Sequence, residues 1–228
     1  WHGANWANKT DLGALKSDGS GQSEAYALNA SGRIVAGWAE DDTGQVRATL
    51  WYGSNWARKA DLGTLKSDNS GGSIAYTLSA SGRTVAGIAE SNTSFYRATL
   101  WHGFGLAKKI DLGTLKSDNS GISEARAITP NVTVVAGQAE NDAGENRATL
   151  WHGAGGVNKT ELPSLKADGS GDAKASAISN DGTVVAGWAE SDTSVRAALW
   201  KVTYNSPLVP IVPDAPPTPP ITPPPITP

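Results

Sequence analysis

The 228-residue sequence contains no cysteine and no methionine, and it has only 2 phenylalanines. Without cysteine the chain can form no disulfide, thiolate nucleophile or cysteine-ligated metal site, so packing alone must hold its core. An excess of charge of one sign is also lacking, since 19 basic and 22 acidic residues give a net charge of -3. A chain so nearly neutral offers no electrostatic surface for nucleic acid, and we expect no nucleic-acid partner.

Long hydrophobic runs are absent as well. No apolar segment approaches the roughly 20 residues needed to span a bilayer, so we expect no membrane insertion by this segment. The sequence patterns typical of serine hydrolases, phosphate-binding loops and zinc proteases do not occur, and we predict no enzymatic activity, no cofactor and no metal. Because the first residue is Trp1, we expect the chain to be a processed or excised piece.

The most prominent feature of the sequence is its internal repetition. Tryptophan recurs at 50-residue intervals, and a last copy follows after 49 residues (Trp1, Trp51, Trp101, Trp151 and Trp200). Each unit repeats a segment that resembles D-L-G-T-L-K-S-D and a second segment that reads V-A-G-x-A-E. Repeats of this length are typical of folds with one supersecondary structure per copy. We therefore divide residues 1–202 into the units 1–50, 51–100, 101–150 and 151–202.

Each unit is predicted to form four short β-strands. In the first unit, 25–29 and 33–40 are alternating runs joined by a turn at Gly32, and strands at 47–53 and around 59–63 follow. Four strands in about 50 residues match one blade of a β-propeller. The sequence thus predicts an all-β, four-bladed propeller.

We expect the C-terminal strand to close this ring. The chain begins within the strand that elsewhere reads R-A-T-L-W, and 196–202 (R-A-A-L-W-K-V) supplies the strand that the N-terminus lacks. A blade shared in this way leaves no exposed sheet edge. The alternatives are two chains that share a larger ring, an excised part of a longer propeller, and a stacked β-solenoid.

The C-terminal residues 203–228 are predicted to be a proline-rich linker or stalk. Residues 207–228 hold 11 of the 13 prolines, which cannot donate the hydrogen bonds of a sheet. In polyproline II geometry this segment would be roughly 70 Å long and semi-rigid.

Two repeated sets are predicted to be structural. The five tryptophans that define the repeat are expected to pack inside the blades. A glutamate and an arginine flank the same loop in every unit, and we predict that they form cross-strand ion pairs with no catalytic role. These pairs are Glu40 with Arg47, Glu90 with Arg97, Glu140 with Arg147, and Glu190 with Arg196.

Aromatic positions that change between copies are the candidates for ligand binding. Trp38 and Trp188 correspond to Ile88 and Gln138 in the other units, and a position that accepts such different residues does not suit a tight core. Exposed tryptophan and tyrosine are frequent anchors for sugars and protein partners, although packing at blade edges is an equally simple explanation. The full candidate set is Trp38, Trp188, Trp6, Trp56, Tyr26 and Tyr76.

The combination of D-L-G-T-L, G-x-x-V-A-G and R-A-T-L-W resembles the bacterial HAF extracellular repeat. The resemblance covers 1–202, with arginine where that family has histidine and threonine or alanine where it has phenylalanine in H-A-F-L-W. It implies an exported or surface protein, similar to an autotransporter passenger joined to its barrel by a proline-rich spacer. It supplies no catalytic residue.

These observations lead to one main hypothesis and two alternatives. The main one is a secreted or cell-surface, adhesin-like binding domain that contacts extracellular glycan or protein through the variable aromatic residues. The second is a structural subunit that associates with copies of itself. The third is a hydrolase of the central channel, for which the only repeated carboxylates to nominate are Asp11, Asp61, Asp111 and Glu161.

Overall fold

The structure, a computed structural model, describes residues 9–212. Within that range the fold is all-β, and its strands form one antiparallel sheet per repeat, as predicted. Each sheet is called a blade below and is numbered in chain order. No helix in the described part of the chain is long and apolar enough to cross a membrane. The strands are β1 (Ser23–Leu28), β2 (Ile34–Glu40), β3 (Val46–Tyr52), β4 (Arg58–Asp61), β5 (Ser73–Leu78), β6 (Val85–Glu90), β7 (Tyr96–His102), β8 (Lys108–Asp111), β9 (Ser123–Ile128), β10 (Val134–Glu140), β11 (Asn146–His152), β12 (Asn158–Leu162), β13 (Ala173–Ile178), β14 (Val184–Glu190) and β15 (Val195–Lys201).

Blades 1, 2 and 3 have four strands in sequence order, whereas the described residues give blade 4 three, β13, β14 and β15. Tight turns with positive φ, as at Gly32 and Gly44, join the strands, and glycine adopts this conformation without strain. Short 3₁₀ turns at Ser54–Trp56, Phe104–Leu106 and Ala154–Gly156 lead from the third strand to the fourth. The first strands β1, β5, β9 and β13 lie beside one another in that order, and the fourth strands are outermost.

The core lies between neighbouring blades. One apolar cluster joins blade 1 to blade 2, and it contains Ala48, Leu50, Ala75, Val85 and Trp101. Equivalent clusters lie between blades 2 and 3 and between blades 3 and 4. Small alanines let the sheets approach closely, and each tryptophan fills the remaining width. The exposed fractions of Trp51, Trp101, Trp151 and Trp200 are 1%, 0%, 0% and 8%, whereas Trp1 lies outside the described residues.

The prediction that the C-terminal strand closes the ring within one chain is wrong for the part of the chain that the structure describes. β15 pairs only with β14, and residues 9–11, which correspond to β4, form no strand. Buried and exposed residues alternate along the second half of β15, so only one of its faces is covered, whereas β7 and β11 are buried on both faces. One face of blade 4 therefore has no neighbouring blade.

The packed part of the chain also extends past the predicted boundary at 202. Ile211 and Val212 are buried in the cluster between blades 2 and 3, and the Ile211 amide donates to the Val132 carbonyl at 2.8 Å. Ile211 lies against Gly156, where the equivalent positions of the other blades carry a tryptophan or a leucine. A segment predicted as linker thus fills a space that the repeat leaves empty, and residues 203–212 belong to the folded domain.

Candidate functional site

A β-bulge in every first strand determines which side chains face the centre of the molecule. In blade 1, Ala25 pairs with Gly37 and Ala27 pairs with Ala36, so Tyr26 is an extra residue. The bulge brings the Glu24 carbonyl so close to β2 that a Cβ atom on Gly37 would overlap it. Glycine is therefore required at this position of every V-A-G segment, and bulges commonly redirect one side chain in this way.

The redirected side chains line a central cavity of about 430 Å³, which we call the channel. Its walls come from all four blades. Tyr26, Tyr76, Arg126 and Ser176 are the bulge residues, and Lys174 and Trp188 complete the lining. Three residues that the sequence singled out, Tyr26, Tyr76 and Trp188, thus lie around one cavity although they are far apart along the chain.

Ring and charge contacts connect the blades along the channel wall. The ring centroids of Tyr26 and Tyr76 are 5.5 Å apart, and the guanidinium carbon of Arg126 lies 3.7 Å from the centroid of Tyr76. Glu124 forms ion pairs with Arg126 and with Lys174, whose Nζ atom is 2.7 Å from Glu124 Oε2. Aromatic and cation–π contacts of this kind hold the side chains in one arrangement before any ligand binds.

The two equivalent tryptophans Trp38 and Trp188 have different surroundings. Trp38 Nε1 lies 3.2 Å from Tyr26 Oη and 3.3 Å from Glu24 Oε2, so this indole is tied to the channel wall. Trp188 stands opposite Lys174 across the strand pair and lines the cavity directly. Trp188 is therefore the more accessible of the two to a ligand in the channel.

The remaining candidate tryptophans are not part of the channel wall. Trp56 lies in a 3₁₀ turn, packs against the apolar cluster around Trp51, and donates its Nε1 hydrogen to the Gly32 carbonyl at 3.2 Å. Packing at a blade edge thus accounts for the position of Trp56. Trp6 lies outside the described residues.

Burial and neighbouring carboxylates act on the channel tyrosines. Desolvation raises the pKa of Tyr76 strongly, and the charge of Glu124 raises it further. Desolvation and the hydrogen bond to Glu24 likewise raise the pKa of Tyr26. Both phenols therefore keep their protons at neutral pH, and the Tyr26 hydroxyl donates its proton to Glu24 Oε2 at 2.9 Å.

The sequence prediction missed three polar residues of the channel lining, Arg126, Lys174 and Ser176. It also missed Glu24 and Glu124, the two carboxylates that bind lining residues. Glu24, Ile74, Glu124 and Lys174 occupy equivalent positions and differ between copies, as the chosen aromatic positions do. The same variation between units could therefore have found them. Selecting only aromatic residues excluded them, although charged and aromatic groups alternate around the same wall.

The predicted glutamate–arginine pairs are wrong. Arg47 faces Ala39 in the strand pair whereas Glu40 faces Val46, so adjacent register positions point the two side chains to opposite faces of the sheet. Each glutamate pairs instead with a lysine of the preceding loop, and three of the arginines pair with an acidic residue of the fourth strand. The lysine pairs are Lys16–Glu40, Lys66–Glu90, Lys116–Glu140 and Lys166–Glu190, and the arginine pairs are Arg47–Asp61, Arg97–Asp111 and Arg147–Glu161.

These arginines also join consecutive repeats. Arg47 is almost fully buried, and its Nη1 atom donates to the Asn69 and Gly71 carbonyls of the next unit at 2.9 and 2.7 Å. Arg97 makes both equivalent contacts, with the Asn119 and Gly121 carbonyls, and Arg147 makes one, with the Gly171 carbonyl. Arg196 in blade 4 is exposed, because no repeat follows it in the structure.

The carboxylates nominated for a hydrolase are placed away from the channel. Asp61, Asp111 and Glu161 lie on the outermost strands and neutralise buried arginines, and Asp11 accepts a hydrogen bond from the nearby Gly13 amide. The hypothesis that they act as channel catalysts is therefore wrong. Within residues 9–212, no group of three or more histidine or acidic side chains is arranged to hold a metal ion.

These features define an all-β repeat protein of the β-propeller type with an aromatic and charged channel. No family model and no curated protein matches the chain. Among solved structures, the crystal structure of TolB from Acinetobacter baumannii matches with a TM-score of 0.55 and 14% sequence identity. The match covers 79% of this chain and 41% of the TolB chain, and at this identity it shows the fold alone.

Proposed function

We propose that this protein is a non-enzymatic binding domain of the bacterial cell surface or the extracellular space, and that its ligand is a glycan held at the channel. The observation that carries the proposal is the convergence of Tyr26, Tyr76 and Trp188 on one cavity, with polar groups between them. An adhesin-like role as an autotransporter passenger extends this proposal and rests on the resemblance to HAF repeats.

The chemistry of the channel suits a sugar. A sugar ring has apolar C–H faces, which stack on aromatic rings, and a rim of hydroxyls that needs hydrogen-bond partners. Trp188 and the tyrosines offer ring faces, and Lys174 and Ser176 offer polar groups beside them. A volume of about 430 Å³ lies in the ordinary range for small-molecule sites.

Charge balance narrows the ligand class further. Arg126 and Lys174 line the channel, and each forms an ion pair with Glu124. With Glu24, which is hydrogen-bonded to Tyr26, the four charged groups sum to no net charge. A neutral glycan gains hydrogen bonds here without displacing an ion pair. An anionic glycan would have to compete with Glu124 for the same cations.

The test is a glycan array with the whole chain, followed by calorimetric titration of the neutral oligosaccharide that binds best. We expect Trp188→Ala and Tyr76→Ala each to weaken binding at least about tenfold, which corresponds to about 1.4 kcal/mol. The matched control is Phe95→Ala, which removes an exposed aromatic side chain from a loop at the end of blade 2. Equal binding by all three variants, or no neutral glycan bound at all, would contradict the proposal.

A further inference from the structure

The first and last blades expose surfaces that every inner blade buries. On β1, the residues Ser23, Ala25 and Leu28 are exposed, whereas the equivalent residues of the next blade are buried. Leu28 is 65% exposed and its counterpart Leu78 is 8% exposed. We call this surface of blade 1, formed by Gly21, Ser23, Ala25 and Leu28, the leading face.

Blade 4, at the other end of the array, also exposes residues that the inner blades bury. Ala186, Arg196, Ala197 and Leu199 are exposed, although each equivalent residue of blades 1, 2 and 3 is buried. These four residues form the trailing face. Apolar side chains at fixed positions of a repeat do not favour solvent, so this face has the composition of an interface without its partner.

The inner interfaces show what each face binds. Between blades 1 and 2, the Ala48 amide donates to Ser73 Oγ at 2.9 Å, and Arg47 donates to the Gly71 carbonyl. Between blades 2 and 3, the Ala98 amide donates to Ser123 Oγ at the same distance. These hydrogen bonds surround the buried leucine and alanine cluster of each interface.

The trailing and leading faces carry the same donors and acceptors. Ala197 corresponds to Ala48 and Ser23 to Ser73, while Arg196 and Gly21 correspond to the arginine and glycine of the second contact. Leu199 likewise corresponds to Leu50, the leucine that inserts at the inner interface. Each face therefore matches the other by residue type and by register.

We propose that the trailing face of one chain packs against the leading face of a second copy of this chain. Among the described residues of one chain the two faces remain exposed, so they do not cover each other. The contact is head-to-tail, because it joins two different surfaces, and it repeats an interface that the chain already builds three times. It would bury Leu28 and Leu199 and give Arg196 the carbonyl partner that Arg47 has.

The open edge of β15 supports the same arrangement. In the part of the chain that the structure describes, blade 4 has no fourth strand, and residues 9–11 correspond in sequence to the end of β4. When residues 9–11 of a second copy pair with β15, Asp11 of that copy can neutralise Arg196, as Asp61 neutralises Arg47 at 2.9 Å. The pairing would remove an exposed edge that is prone to non-specific association.

Cysteine cross-linking tests the register of this contact, because the chain has no native cysteine. A mixture of the full-length S23C and A197C variants should form a covalent heterodimer under mild oxidation, and the double variant should form dimers or longer species. The matched control is the A48C/S73C double variant, whose equivalent positions meet inside the chain. It should form an internal disulfide only.

Sedimentation of the unmodified chain provides the second measurement. We expect at least a doubling of mass with rising concentration, and we expect Leu199→Lys to remain monomeric. Thr193→Lys adds the same charge on an exposed loop and should associate like the wild type. A monomer at every concentration would overturn the proposal. The proposal would also be overturned if the S23C/A197C double variant formed only an internal disulfide. The same holds if it formed no disulfide while the A48C/S73C control did.

Discussion

Because the blade array is open at blade 4, we predict that leucine-to-alanine substitutions at two equivalent positions lower the free energy of unfolding by very different amounts. Leu150 and Leu199 occupy the same place in the third strands of blades 3 and 4, but their exposed fractions are 0% and 62%. Changing each to alanine removes the same atoms. Any difference in the free energy of unfolding must therefore come from the neighbouring blade, which Leu150 has and Leu199 lacks.

The expected magnitudes follow from burial. Three carbon atoms at about 0.8 kcal/mol each give about 2.4 kcal/mol of lost transfer free energy for a fully buried leucine. The cavity left between blades 3 and 4 adds to this, so Leu150→Ala should cost about 3–4 kcal/mol. For Leu199 only the buried two fifths of the side chain counts and no cavity forms, so the cost should be about 0.9 kcal/mol.

Urea denaturation followed by tryptophan fluorescence measures both values, at a concentration where sedimentation shows a monomer. The slope of unfolding free energy against denaturant must agree between variants, because a changed slope would indicate that the blades unfold separately. Equal costs for the two variants would refute the reasoning. Such a result would mean that a blade covers Leu199 within one chain.

Three further predictions concern the bulge, the C-terminal segment and the loop ion pairs. Gly137→Ala should cost about 1–3 kcal/mol by urea denaturation, because the new Cβ overlaps the Glu124 carbonyl; an unchanged midpoint would contradict the close approach. Ile211→Ala should cost about 2–5 kcal/mol in the same assay, whereas a free linker would give no change. The Lys116 hydrogen bond lowers the pKa of Glu140 below 4.5, so the stability it contributes is complete above that pH and is lost as the pH falls through the folded-state pKa. Denaturation between roughly pH 6 and pH 3 should therefore show the gap between wild type and Glu140→Gln closing as acid is added, and a constant gap would exclude this origin.

Local sequence patterns were sufficient for the repeat, the strands and the turns. The spacing of Trp51, Trp101 and Trp151 located the units, and alternating runs located the strands to within a few residues. These features depend on contacts between neighbours along the chain or between identical copies. A pattern that recurs in every copy therefore predicts them.

Side-chain partners were less predictable because they depend on register. The pairing of Glu40 with Arg47 failed because one step along a strand reverses the face of the sheet. Arg47 instead reaches a carbonyl of the next repeat, which no spacing within one unit reveals. Ile211 was assigned to the linker because its proline-rich neighbours outweighed its own hydrophobic side chain.

Local sequence patterns are enough to give the number of blades, the strand order within each blade and the residues at which copies differ. They are enough because each blade is a local antiparallel unit whose pattern repeats four times. Packing between blades decides that the bulge residues share one channel, and that the array is open within residues 9–212. The bulge residues are Tyr26, Tyr76, Arg126 and Ser176. Both results depend on how the blades pack side by side, and contacts between blades are set by bulges, close glycine approaches and the fit of whole sheets.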